Sequence, residues 1–288
     1  MVRVKSEKIF NVVNIILISL LSLSFLLPVA LILSASVSTA ASFSQYGYTL
    51  IPKEFDLFAY EYVLVSNPLF LRSLWNSIFI TVVGTFLMVV NTTLFSYALT
   101  KKELVGRKFF SFYAMFTMLF AGGTIPYYLV VTGIGLDQSL WAIILPGSVS
   151  AWNILLTRNF FANLPESMLE AAELDGAGHV NVLLRVVLPT SFPVIATVIL
   201  FTAVGFWNNW FGPLLFIDSV KNRDLLPIQA LLREMLNNVE SIVGSNPNMP
   251  SEAIKNAAVV VATLPIVIVY PLLQKYFING VILGSVKE

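Results

Sequence analysis

The sequence predicts an all-α integral membrane protein with six transmembrane helices, and three observations carry that reading. The 288 residues are 57% hydrophobic and only 11% charged, against roughly a quarter charged in an ordinary soluble chain. The 17 Lys and Arg and 16 Asp and Glu are clustered, leaving six uncharged runs of 19 residues or more: 9–52, 73–100, 109–136, 138–157, 186–217 and 256–274. A bilayer core of about 30 Å takes about 20 apolar residues as a helix, and a charge at helix centre costs roughly 2.5–3.5 kcal/mol. Each run is therefore one candidate span.

Span one is placed at 10–34, because residues 41–52 are uncharged but too polar for lipid. Arg3, Lys5 and Lys8 precede it, and Ser38-Thr39-Ala40 resembles a signal-peptide cleavage site. The apolar stretch 9–33 exceeds the roughly 7–15 residues of a signal sequence, so an uncleaved span is expected. The same trimming places the other spans at 74–98, 109–132, 139–158, 192–213 and 256–276. An even count puts both termini on one side. Eleven of the 17 cations fall in the termini and the second and fourth connections, including Lys101, Lys102, Arg107, Lys108, Arg158 and Arg185. The positive-inside rule assigns those segments to the cytoplasm. The formal net charge of +1 conceals +4 inside and −3 outside.

The spans lack mid-depth Asp, Glu, Lys or His, the groups on which ion-coupled carriers and proton pumps depend. One histidine, His179, excludes an H-E-x-x-H zinc site, and zero cysteine removes disulfides and thiolate chemistry. No Gly-x-Ser-x-Gly elbow or phosphate-cradling Gly-x4-Gly-Lys-[Ser/Thr] loop is present. A chain of this kind that moves a solute uphill needs its energy from another subunit.

The connection between spans four and five, 159–190, is the most patterned. Asn163 and Glu166 have capping-box spacing, Pro165 suits a first turn, and Gly176 suits a left-handed stop. Glu166, Glu170 and Glu173 fall at i, i+4 and i+7 on one face, with Leu164, Met168, Ala171 and Ala172 on another. Val180, Leu183, Leu184 and Val187 form a second helical phrase, closed by Pro189 and Pro193. An acidic stripe is repelled by anionic headgroups, so a basic protein partner is its natural contact.

Glu170-Ala171-Ala172, three residues, Gly176, nine residues, then Val186-Val187-Leu188-Pro189 resembles the E-A-A-x3-G-x9-I-x-L-P loop of ABC importer permeases, with Val186 in place of Ile. The chain as a whole resembles the carbohydrate branch, including the second maltose-importer permease and polysaccharide-type permeases. Supporting phrases are Leu50-Ile51-Pro52, Asn76-Ser77-Ile78, Gly122-Gly123-Thr124-Ile125-Pro126, Trp207-Asn208-Asn209-Trp210 and Gln274-Lys275-Tyr276-Phe277. The resemblance implies a homologous second permease, two ATPase subunits that bind ATP and Mg, and an extracytoplasmic sugar-binding protein, in a bacterial or archaeal cell membrane. It implies that this chain binds no cofactor or metal and is no enzyme. Carried onto this sequence, the ATPase-coupling residues are Glu166, Glu170, Ala171, Ala172, Glu173, Asp175 and Gly176. A second ATPase contact falls on Gly284, Ser285, Val286 and Lys287.

Sugars bind through hydrogen bonds and apolar ring faces, so Trp207, Asn208, Asn209 and Trp210, with Tyr127 and Tyr128, are candidates for the substrate path. Trp at a membrane boundary also serves as an interfacial anchor. Asn91 and Asn153 suit interhelical hydrogen bonds. The outer loop 214–255 holds a helical phrase at 225–235 and a turn-rich stretch. By resemblance Asn246, Asn248 and Met249 contact the binding protein. The expected organisation is a first span and outer loop (1–73), a core of spans two to six (74–276) and a tail (277–288). The rival readings are a membrane receptor or assembly subunit without a transport path, and an ABC permease for a non-sugar solute.

Overall fold

The computed structural model describes residues 5–237 and 251–285, with side chains described for 7–237, 252–269 and 271. Among the described residues the chain is helical, apart from one isolated bridge between Ser38 and Phe55. The first span is α1 (Lys5–Ser36), followed by the short α2 (Ala40–Tyr46), which Thr39 caps by accepting from Ser42 N at 3.1 Å. Next, α3 (Phe58–Glu61) runs through a π turn, Tyr62–Ser66, to α4 (Pro68–Thr100).

Beyond α4 the expected continuous spans are interrupted. Span three is two helices, α5 (Arg107–Leu119) and α6 (Thr124–Gly133), bent by 120°. Gly123, with φ +88°, takes a conformation open to glycine at no steric cost, and there the helix stops and restarts. Span four is also two pieces, α7 (Trp141–Gly147) and α8 (Ala151–Ala162); Ser150 starts the second by accepting from Asn153 N at 3.3 Å.

The fourth connection holds α9 (Glu166–Leu174), α10 (His179–Val182), a π turn (Leu183–Val187) and α11 (Leu188–Thr190). After it, α12 (Phe192–Trp207) ends six residues short of the expected 213, and α13 (Phe211–Phe216) follows as a separate turn. The last helices are α14 (Ile228–Asn237) and α15 (Ser251–Ser285). Among the described residues three helices, at Glu7–Ser36, Pro68–Thr100 and Glu252–Val269, are long and apolar enough to cross a membrane alone; counting each of two bent pairs as one span raises the number to five.

The chain divides into two compact units. The first comprises 1–71 and 232–263. None of the most apolar window of α1 is buried within the chain, and a helix apolar all round requires a nonaqueous neighbour. In α15, Ala253, Ala257, Ala258 and Ala262 are buried, small residues that permit close helix approach.

The second unit comprises 72–231 and 264–288, and its core gathers Ile80, Ile143, Ile144, Phe206, Ile217 and Leu226. The Phe206 ring from α12 lies against two glycines: a Cβ on Gly84 of α4 would sit 2.6 Å from it, and one on Gly147 of α7 would sit 2.7 Å away. Polar groups complete the packing. Asn91 Nδ2 donates to Ser148 O at 3.0 Å, Ser96 Oγ to Ile154 O at 2.8 Å, and Asn153 Nδ2 to Thr202 Oγ1 at 3.4 Å. Asn91 and Asn153 thus make the interhelical bonds expected of them. In the Asn76-Ser77-Ile78 phrase, Asn76 Nδ2 donates to Asp224 O at 2.8 Å and Ser77 Oγ accepts from Ile228 N at 2.8 Å. That phrase fastens the end of the loop leading to α14 and the first residue of that helix.

Candidate functional site

The fourth connection folds into a corner whose parts are set locally. Asn163 closes α8, with its Nδ2 donating to Asn159 O at 2.9 Å, rather than capping α9. The reason is Pro165: the residue before a proline is pushed out of the α region, so α9 begins at Glu166, its first residue and not the third that a capping box requires. The other end matches the sequence. Gly176 has φ +80°, its N–H reaches Glu173 O at 3.0 Å, and Ala177 N–H reaches Ala172 O at 3.0 Å. These paired bonds are a Schellman stop, which satisfies the last carbonyls and reverses the chain.

Packing fixes the corner on its neighbours. Val182, Leu183 and Val187 are buried with Tyr97 of α4, Phe161 of α8, and Val194 and Ile195 of α12; Leu164, Leu169, Ala172 and Ala177 pack against them. Each fully buried aliphatic side chain is worth about 1.5–3 kcal/mol. The inward stripe of the second phrase differs from the expected one, since Val180 and Leu184 are exposed while Val182 and Val186 take their places. The phrase is so uniformly apolar that two overlapping stripes fit its spacing. Ala171 likewise points outward, and Ala172 inward. Pro189 cannot donate to the carbonyl four residues back, and the wider π register lies directly before it. The helix axis then turns by 82° between His179–Thr190 and Phe192–Trp207.

The acidic stripe divides by partner. Glu173 Oε1 meets Lys101 Nζ at 2.7 Å, and Glu166 Oε1 meets Lys102 Nζ at 3.5 Å. Burial of the Lys101 ammonium opposes its charge, but the hydrogen bond to Glu173 and the electrostatic interaction with Tyr97 prevail and raise its pKa; the ammonium also lies 5.3 Å from the centre of the Tyr97 ring. The hydrogen bond from Lys101 lowers that of Glu173. Glu170, on the same stripe, is exposed and has no ion-pair partner among the described residues. Leu174 at 88% exposure, Val180 at 69% and Leu184 at 55% surround the same corner with bare apolar surface. The sequence reading missed Leu174; the signal available was a leucine two residues before a left-handed glycine, where a helix face runs out.

The aromatic and amide candidates lie in different settings. Trp207, the last residue of α12, is buried and lines an apolar cleft of about 180 Å³ with Ile78, Val82, Leu200, Val204 and Pro265. Asn208 is the exposed residue after that helix, and Asn209 Oδ1 accepts from Gly212 N at 3.0 Å to start α13. Trp210 stands edge-on to Phe211 at 5.7 Å. Tyr127 and Tyr128 both meet the Phe216 ring, at 5.3 Å edge-on and 6.0 Å stacked. Asn246, Asn248, Met249, Val286 and Lys287 lie outside the described residues, and Gly284 and Ser285 form the last described backbone of α15.

Comparison with known proteins covers almost the whole chain. Residues 6–282 match the model of the family described as binding-protein-dependent transport system inner membrane component. The protein LplC of Bacillus subtilis is 43% identical over 98% of this chain and 96% of its own length. The polygalacturonan/rhamnogalacturonan transport system permease protein YtcP of the same organism is 39% identical over 98% of this chain and 99% of its own. A chain in the crystal structure of a bacterial ABC transporter involved in import of the acidic polysaccharide alginate superposes with a TM-score of 0.87 at 31% identity, covering 96% of this chain and 99% of that one. With its apolar spans and helical architecture, the chain belongs to the family of binding-protein-dependent transport system inner membrane components.

Proposed function

We propose that this chain is one of two homologous membrane subunits of an ATP-driven importer for an oligosaccharide or polysaccharide-derived sugar. The other subunit completes the translocation path, a binding protein delivers the sugar from outside, and two ATPase subunits bind and hydrolyse ATP with Mg. This chain contributes geometry to that cycle. The observation that carries the reading is the corner at α9 and α10: Glu170, with no ion-pair partner among the described residues, on the same corner as exposed Leu174, Val180 and Leu184 and on a helix packed against α4, α8 and α12. A carboxylate beside exposed apolar side chains suits a partner surface that offers a basic residue among apolar ones. When the ATPase dimer closes, force on α9 passes through the buried cluster to α12 and α4, and the spans rock about a fixed path. Ala171 permits close approach, while Glu166, Glu173, Ala172, Asp175 and Gly176 shape the docking helix. Gly284, Ser285, Val286 and Lys287 provide a second contact at the same interface.

The six-span arrangement is part of the proposal: α1, α4, the α5–α6 pair, the α7–α8 pair, α12 with α13, and α15. What supports it is that segments assigned to one side meet each other. Lys101 and Lys102 meet Glu173 and Glu166, whereas Gln138 accepts from Asp218 N and from Asn222, both at 2.8 Å, and Arg72 meets Asp224 at 2.9 Å. Both termini are then cytoplasmic. On the outer side, Asn246, Asn248 and Met249 contact the binding protein, and Trp207, Asn208, Asn209, Trp210, Tyr127 and Tyr128 border the sugar path. Two of the relatives named above carry acidic polysaccharides in their descriptions, so uronic-acid oligomers are the first sugars to test.

Purification of the tagged chain from its host tests this. A homologous permease and an ATPase should accompany it, and ATP hydrolysis should rise only when the binding protein carries its sugar. ATP hydrolysis indifferent to every acidic and neutral oligosaccharide would refute the assignment.

A further inference from the structure

The end of α4 is crowded with positive charge, and the structure divides that charge into two tasks. Arg107 Nε and Arg158 Nε both donate to Leu99 O, at 2.9 Å and 3.4 Å. They serve the carbonyls that a helix C-terminus leaves unpaired and the negative end of its dipole. Lys101 and Lys102 reach instead to α9. On α9 the two acids stand at opposite ends: Glu166 is the first residue and Glu173 lies in the last turn. A carboxylate is favoured at a helix N-terminus and opposed at the C-terminus. Glu173 is thus badly placed for its own helix, and Lys101 supplies the compensating charge.

We propose that Lys101, held between the Tyr97 ring and Glu173, is a positioning residue which, with Lys102, straps α9 to the end of α4 so that this span moves with the docking helix. Seven residues separate the two straps, about 10 Å along the axis at 1.5 Å per residue. Two attachments that far apart fix the orientation of α9 as well as its place. The Lys101 ammonium is gripped from two sides, with its side chain 23% exposed, and Tyr97 beneath it is 7% exposed within the cluster that seats α10. A push on α9 therefore reaches α4 through a charged contact, in parallel with the covalent route through α10 and α11 to α12. Glu170 lies between the straps on the same stripe and stays available to a partner.

The inference rests on α9 being the docking helix, and the test separates the two ideas. In the whole transporter reconstituted in proteoliposomes, sugar moved per ATP hydrolysed is measured for Lys101→Glu, Glu173→Lys and the exchanged pair. Each single change should lower that ratio at least about fivefold, the low end of ordinary coupling between linked sites. For Lys101→Glu the amount of ATPase subunit that co-purifies should stay near wild type, and the exchanged pair should recover most of the ratio. Lys101→Met and Glu173→Gln, which remove charge without reversing it, give the same reading if the reversals fail to assemble. A wild-type ratio in the single variants, or a loss that the exchanged pair leaves in place, overturns the strap. Glu170→Lys is measured alongside: uncoupling there with normal Lys101→Glu discards the strap alone, whereas normal coupling there discards the docking helix and the strap with it.

Discussion

Replacing Gly84 by alanine should destabilise the helical core, although alanine is the better helix former. A Cβ at this position would lie 2.6, 2.6 and 2.9 Å from three ring carbons of Phe206, where carbon atoms prefer about 3.5–4.0 Å. The ring would have to retreat by roughly 1 Å to reach that separation. The Gly147 backbone of α7 borders the same ring, since a Cβ built there would lie 2.7 Å from it, and limits the retreat. Overpacking of this kind costs about 1–3 kcal/mol, and the helix-propensity gain of Ala over Gly returns up to about 1 kcal/mol. With the clash at the middle of that range, about 2 kcal/mol, the net loss is about 1–2 kcal/mol, or about 2–8 °C in apparent Tm on the scale of 2–4 °C per kcal/mol. Thermal unfolding of the purified transporter in detergent reads this. In a Phe206→Ala background the clash is absent, so the same Gly84→Ala change should stabilise. That change of sign is the diagnostic. A Gly84→Ala protein as stable as wild type, or a penalty that persists without the Phe206 ring, would refute the packing argument.

Other expectations follow from the same contacts. Gly176→Ala forces an L-residue to φ +80°, a cost of roughly 1–2 kcal/mol, and should lower sugar moved per ATP while leaving membrane insertion unchanged. Asn76→Ala strips the donor from Asp224 O and from the buried Leu226 O; a buried group left unpaired costs about 1–3 kcal/mol, and limited proteolysis should then cut the chain near residue 224 faster. The Lys101–Glu173 pair has a defined pH window. The Glu173 pKa is lowered, so its contribution is full above the ordinary 4.5 and fades as pH falls through the lower folded value. The Lys101 pKa is raised, so its contribution is full below 10.5 and fades as pH rises through the higher folded value. NMR titration of Glu173 should therefore show a midpoint below 4.5, and Lys101→Met should raise that midpoint toward the ordinary value.

Charge spacing alone located α1, α4 and the apolar part of α15, because a bilayer demands long uncharged runs and little else in these sequences meets that demand. It could not reveal that 109–132 and 139–158 are each two helices. Gly122-Gly123 and Pro146-Gly147 are visible as punctuation, but an apolar run reports only that a segment suits lipid, not that it is straight. In the fourth connection, Gly176 was legible because a left-handed turn selects glycine. The cap of α9 was not, since Asn163 suits the end of one helix as well as the start of the next, and Pro165 decides between them. The pairing of Lys101 with Glu173 spans 72 residues, and no local pattern records a contact at that range. Leu174 shows the same limit from the other side: its exposure depends on where α8, α10 and α12 place the packed face of α9.

In the proposed cycle, Glu170 and the corner around it transmit another subunit's ATP hydrolysis to the membrane spans. Sugar uptake and ATP hydrolysis measured in the same proteoliposomes, for wild type and Glu170→Lys, test it most directly. Glu170→Lys should yield a transporter that inserts and still hydrolyses ATP but moves at least about tenfold less sugar per ATP, within the ordinary range of coupling between sites. Wild-type uptake per ATP from Glu170→Lys would contradict it.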